Sequence, residues 1–97
     1  MKGGSHSFEW DTGNAKKCEK HGVSIAEIES LFGNMPIVYP NVNHAGAEVR
    51  YSAIGRNAAD RGVFVVYTLR QRDGMHVIRP ISARYMHKKE INYYESL

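Results

Sequence analysis

The spacing of apolar positions changes twice along the chain, from helical at the start to alternating in the middle and back to helical at the end. Phe8-Glu-Trp10 is a short apolar-polar-apolar segment ahead of Asp11, whose carboxylate suits the free amides at the start of a helix over residues 12–21. Ala15 and Cys18 share one face of that helix, Lys16, Lys17 and Lys20 point elsewhere, and Gly22 stands where a left-handed residue ends it. The second helix is marked more sharply. Ser24 and Glu27 have capping-box spacing, Val23 and Ile28 occupy the staple positions, and Ile25, Ile28, Leu31 and Phe32 form one apolar stripe before Gly33-Asn34.

Beyond Asn34 the period becomes two. Residues 35–39 predict a short edge strand between Pro36 and Pro40, and residues 41–47 a polar turn. Residues 48–56 alternate, with Val49, Tyr51 and Ala53 on a buried face and Glu48, Arg50, Ser52 and Arg56 on a polar one. Residues 63–70 are almost wholly apolar, as in a central strand covered on both sides. Asp73-Gly74 supplies a tight turn into a strand over 75–83, where Pro80 indicates an edge or a bulge. A closing helix over 87–96 uses Ile91, Tyr94 and Leu97 as its apolar side. These elements predict an α+β fold: an antiparallel sheet of three to four strands, two N-terminal helices on one face and a C-terminal helix.

Ninety-seven residues provide for one core, so residues 8–97 are expected to form a single domain, with the Gly/Ser-rich residues 1–7 as a flexible leader. The lone cysteine excludes an intrachain disulfide and suits a reducing cytoplasm, and Cys18 is expected to be a small buried hydrophobe. The apolar run from Val63 to Tyr67 is far short of the ~20 residues a membrane span needs, and no secretory signal pattern opens the chain. His6, His21, His44, His76 and His87 show no metal-ligand spacing, and neither a phosphate-binding glycine loop nor a nucleophile elbow occurs. No metal or cofactor is therefore expected.

Charge alters the picture more. The net charge of +3 divides unevenly, with four Lys against six acids in residues 1–48 and nine Lys or Arg against four acids in residues 49–97. The second half thus suits a polyanion or an acidic partner, or presents a solvated basic surface. Its arginines lie on strands, where they must meet water, carboxylates or phosphate. Glu48 and Glu90 are the acids placed to pair with them.

Such groups suffice for metal-free RNA cleavage, which needs a base for the 2′-hydroxyl, a cation for the phosphorane and an acid for the leaving 5′-oxygen. Lys20, His21, Glu90 and Tyr94 are candidates for base or acid, and Arg50, Arg70, Arg79 and Arg84 for phosphate clamps. His21 also suits a helix C-terminus, and Glu90 a helix cap. A non-catalytic interaction module is the competing interpretation. A recognition helix for DNA is not expected, because Glu27 and Glu29 on the exposed side of the second helix would repel phosphate.

In order along the chain, Phe8-Glu-Trp-Asp11, Lys20-His-Gly-Val-Ser24, Glu48-x-Arg50, Ile54-Gly-Arg56, Val65-Val-Tyr-Thr-x-Arg70, Ile81-Ser-Ala-Arg84, Lys89-Glu90 and Tyr94 resemble the pattern of BrnT toxins over residues 8–95. The resemblance implies a RelE-like fold and an endoribonuclease that arrests translation, with RNA, on or off the ribosome, as substrate. It further implies a ribbon-helix-helix antitoxin of the BrnA type, with operator DNA contacted only through that antitoxin, and leaves the stoichiometry of the complex open. Carried onto matching positions, it assigns catalytic roles to Lys20, His21, Arg50, Arg70, Arg84, Glu90 and Tyr94, and RNA binding to Arg56, Arg79, Lys88 and Lys89. Cys18 stands where the family carries Asn, and His87 where it carries Thr, a weaker helix cap by about 1 kcal/mol.

Overall fold

A computed structural model describes residues 6–41 and 48–97, so residues 1–5 of the expected leader and 42–47 of the expected turn, His44 included, lie outside the described residues. Three helices, α1 (Thr12–Glu19), α2 (Ile25–Gly33) and α3 (Lys88–Glu95), accompany four strands, β1 (Ile37–Pro40), β2 (Arg50–Arg56), β3 (Gly62–Arg72) and β4 (Met75–Tyr85). Both N-terminal helices begin at capping boxes. Asp11 Oδ1 accepts from the Asn14 N–H at 3.0 Å and Asn14 Oδ1 from the Asp11 N–H at 2.7 Å, while Ser24 and Glu27 exchange the same two bonds at 3.1 Å. The first helix stops two residues short of the expected end, where the Gly22 N–H turns back to Glu19 O at 3.0 Å and Gly22 takes φ 90°. At α3 the cap position is His87, whose side chain makes no capping bond.

The strands form an antiparallel meander in the order β1-β2-β3-β4. Asp73 and Gly74 both have positive φ, 53° and 78°, as the two-residue hairpin turn between β3 and β4 requires. Pro80 marks both an edge strand and a bulge. Val66 pairs with Ser82 and Tyr67 with Pro80, leaving Ile81 as the extra residue. The outer edge of β4 is partly closed by the N-terminal segment: the Ile78 N–H donates to Ser7 O at 2.8 Å and the Glu9 N–H to Ile78 O at 2.9 Å. Asn14, buried behind this segment, ties it down by donating to Glu9 O at 3.0 Å and Pro80 O at 2.8 Å.

Alternation along β3 separates two faces. Val63, Val65 and Tyr67, with Ala53 and Ala83 beside them, lie under α1 and α2 against Cys18, Val23, Ile28, Leu31 and Phe32. The rings of Phe32 and Tyr67 meet edge-on at 5.0 Å. Phe64, Val66, Thr68 and Arg70 point the other way, and among the described helices α3 covers that second face, seating Ile91 with Ile54 and Met86 at one end of it. The expectation that β3 is covered on both sides is therefore corrected: an eight-residue helix cannot span four strands, and Phe64 and Val66 stay half-exposed. Val49, assigned to the buried face, precedes β2 and is 61% exposed. Glu27 and Glu29, assigned to the exposed side of α2, are half-buried because they hold α2 to its neighbours, through Tyr85 and Asn57 for the first and Trp10 for the second.

Two outcomes follow from this packing. A β-carbon at position 62 would lie 2.8 Å from Ile91 Cβ, so Gly62→Ala should cost about 1–3 kcal/mol in urea unfolding as α3 is pushed outward. Burial pushes the Cys18 thiol up to about 11, so iodoacetamide at pH 8 should leave it unmodified in the folded protein and alkylate it in urea.

Candidate functional site

The open part of the second face centres on Arg84, which the register places beside Phe64. Its guanidinium lies 4.6 Å from the centroid of the Phe64 ring and donates to both carboxylate oxygens of Glu90, at 3.0 and 2.8 Å. A flat cation over a ring, gripped edge-on by a carboxylate, is held in one orientation. The Glu90 hydrogen bonds hold Arg84 above the ordinary guanidinium range, and Arg84 in turn holds the Glu90 carboxyl below the usual carboxylate range, so both are charged at neutral pH. Tyr94, one turn beyond Glu90, packs against Tyr39 with centroids 5.7 Å apart. On the opposite side of Phe64, His21 from the end of α1 lines a hollow with Val66, Ser82 and Arg84. Four of the expected residues, His21, Arg84, Glu90 and Tyr94, thus gather around Phe64.

The remaining arginines of this face form a second group. Thr68, which pairs with Arg50 and Arg79, lies four residues along β3 from Phe64, a distance of roughly 13 Å. Arg70 grips Glu48 through Nε at 2.6 Å, and Arg79 reaches Asp11 at 2.9 Å and Glu9 at 3.4 Å. Arg72 joins Glu9 at 2.6 Å. The Nε of Arg50 is buried without a hydrogen-bond partner among the described residues, an unmet donor of the kind an anion satisfies.

Other expected residues lie apart from both groups. Arg56 anchors α3, gripping Glu95 at 2.8 and 2.7 Å and reaching Asn92 at 3.3 Å. Lys88 lines a separate surface cleft of about 450 Å3 with Arg56, Arg61 and His87, beside the first turn of α3. Lys89 is exposed in that turn, and Lys20 is exposed at the end of α1. Phe64, Tyr39, Ser52 and Asn14 were not among the residues expected at the site, although the parity of Phe64 with Arg70 along β3 was an available signal. Among the described residues no three His, Cys, Asp or Glu side chains converge as metal ligands, and no helix is long and apolar enough to cross a membrane.

Comparison with protein families matches residues 10–90 to the ribonuclease toxin BrnT of type II toxin-antitoxin systems. The chain belongs to the BrnT family. It is accordingly a ribonuclease toxin with an antitoxin partner, and the match includes His21, Arg84 and Glu90 while stopping short of Tyr94. Comparison with curated proteins finds no match.

In this BrnT toxin the Arg84–Glu90 pair is partly exposed, at 43% and 29% of the side chains, so it stabilises the fold by at most about 1 kcal/mol. Because the folded-state value for Glu90 is depressed, that contribution is present above the ordinary 4.5 and is lost as pH falls through the lower folded value. Glu90→Gln should therefore be slightly less stable than the parent at pH 7 and equal to it well below the folded value, by urea titration at each pH. An equal deficit at both would place the loss in packing and not in the ion pair.

Proposed function

We propose that the toxin cleaves RNA internally and without a metal ion, in the manner of RelE-like toxins, on the open sheet face around Arg84. The observation that carries this reading is the guanidinium of Arg84, laid on Phe64 and fixed by Glu90, with a histidine on one side and a tyrosine on the other. In the proposed reaction the scissile phosphate sits against Arg84. His21 takes the proton of the 2′-hydroxyl as its oxygen attacks phosphorus, and Tyr94 protonates the departing 5′-oxygen, leaving a 2′,3′-cyclic phosphate and a 5′-hydroxyl. Charge gathering on the phosphorane is offset by Arg84. Glu90, kept ionised by its partner, is a poor base and acts by positioning Arg84.

Arg50, Arg70 and Arg79 bind the RNA backbone farther along the same face, exchanging carboxylate partners for phosphate. Lys20, Lys88, Lys89 and Arg56 add positive field at its margins. Cleavage of messenger RNA in the cytoplasm arrests translation, and a BrnA-type ribbon-helix-helix antitoxin restores growth by covering the toxin while itself contacting operator DNA. Residues 8–97 act as one domain in this scheme.

Induced expression in bacteria, scoring growth and total RNA, tests it. The parent should arrest growth and degrade RNA, and Arg84→Ala should abolish both while still binding antitoxin. Removing an exposed ion pair leaves the fold intact, so loss of toxicity with retained circular dichroism points to chemistry. Full toxicity in Arg84→Ala would remove Arg84 from the mechanism, and a harmless but folded parent would favour a binding module.

A further inference from the structure

On the Tyr94 side of Arg84 the second face holds a hollow of about 330 Å3, lined by Tyr39, Asn41, Ser52, Ile54, Phe64 and Tyr94. That volume lies at the lower end of the range for small-ligand sites, about 300–1,000 Å3. Tyr39, Phe64 and Tyr94 contribute aromatic rings to its walls, and among the described residues no carboxylate enters the lining. Phe64 forms the boundary with Arg84, whose guanidinium covers that ring at 4.6 Å. Tyr39 and Tyr94 are inclined at 53°, so they form an angled pair and not a closed stack. At the rim and floor stand two neutral hydrogen-bonding side chains. The Asn41 backbone N–H donates to Arg50 O at 2.8 Å, which fixes this lining residue next to β1. Ser52 is only 8% exposed and contributes its side chain from β2.

Aromatic walls supply stacking for any base, and the carboxamide and hydroxyl that Asn41 and Ser52 carry are groups able to pair with a base edge. A phosphate-binding cation at the boundary completes what one nucleotide presents. We propose that this hollow binds one base of the RNA, the one next to the phosphate held by Arg84, and that Asn41 and Ser52 determine which base is accepted. The proposal rests on RNA crossing this face, as argued above, and adds the site's sequence preference.

The test measures binding of the purified full chain to short 2′-O-methyl homopolymers of A, C, G and U, which cannot be cleaved because the attacking hydroxyl is blocked. One base should bind about tenfold or more tightly than the weakest, with the ring-proton resonances of Tyr39 and Tyr94 shifting. Tyr39→Leu should weaken all of them, by about five- to 150-fold if a full stacking contact is lost. Asn41→Ala retains the backbone bond to Arg50 and should bring the homopolymers within about threefold of one another, with antitoxin affinity unchanged. Equal binding of all bases by the parent, a preference that survives Asn41→Ala combined with Ser52→Ala, unmoved tyrosine resonances, or no binding at all would each overturn the proposal. So would variants that lose antitoxin and keep the RNA preference, which would assign the hollow to the antitoxin. Cleavage without base preference would defeat this inference alone. Base-selective binding by a parent that cuts nothing would defeat the catalytic proposal alone.

Discussion

The arrangement of the second face depends on one contact, the seating of Ile91 against Gly62. Ile91 is the one fully buried residue of α3, and the missing side chain at Gly62 lets the helix approach the sheet that closely. An eight-residue helix with an uncapped N-terminus is not stable alone, so its position is set by this contact and by the Arg56 grip on Glu95. Helical spacing then places the two candidate side chains of α3. Glu90 precedes Ile91 and meets Arg84, and Tyr94 follows by one turn to meet Tyr39. A helix shifted along the sheet would lose both partners together.

Magnitudes explain why the other face carries the fold. Burying a Leu, Ile, Val or Phe side chain contributes about 1.5–3 kcal/mol, against at most about 1 kcal/mol for an exposed ion pair. Ile28, Leu31, Val63 and Val65 are buried beneath the helices, whereas the ion pairs of Arg70, Arg72 and Arg84 remain accessible to water. The charged face can therefore exchange partners without unfolding the protein. The uneven charge of the chain has a structural counterpart here: Glu9, Asp11 and Glu48 of the acidic first half are the partners of Arg70, Arg72 and Arg79 of the basic second half. In the proposed scheme an RNA phosphate arriving on this face competes with carboxylates that are already in place.

Features set by neighbours in sequence were legible before the fold was. Both N-terminal caps, the Asp73-Gly74 hairpin and the irregularity at Pro80 depend on a few adjacent residues, and each is where the local chemistry puts it. What spacing could not supply was the partner of each charge and the face chosen by α3. Arg79 and Glu9 are separated by 70 positions, and Arg70 and Glu48 by 22. Even Arg84 and Glu90, six positions apart, are joined through a strand-to-helix junction at Met86 and His87 where no fixed period holds. The family pattern named His21, Arg84, Glu90 and Tyr94 without showing that they stand around Phe64, because a phenylalanine in an apolar strand gives no sign of which face it leaves uncovered.

Pairing Arg84 with Glu90 has a consequence for recognition as well as for orientation. A free arginine on an exposed strand samples many rotamers and attracts any anion equally. Laid on Phe64 and held at both nitrogens, Arg84 presents its charge at one place, at the boundary between the His21 hollow and the Tyr39–Tyr94 hollow. A phosphate bound there has its neighbouring groups directed to either side, a requirement that a scattered basic surface does not impose. In the proposed scheme the ion pair thus converts general attraction for a polyanion into a defined register of one nucleotide, and the same register would let a base pocket influence where the strand is cut.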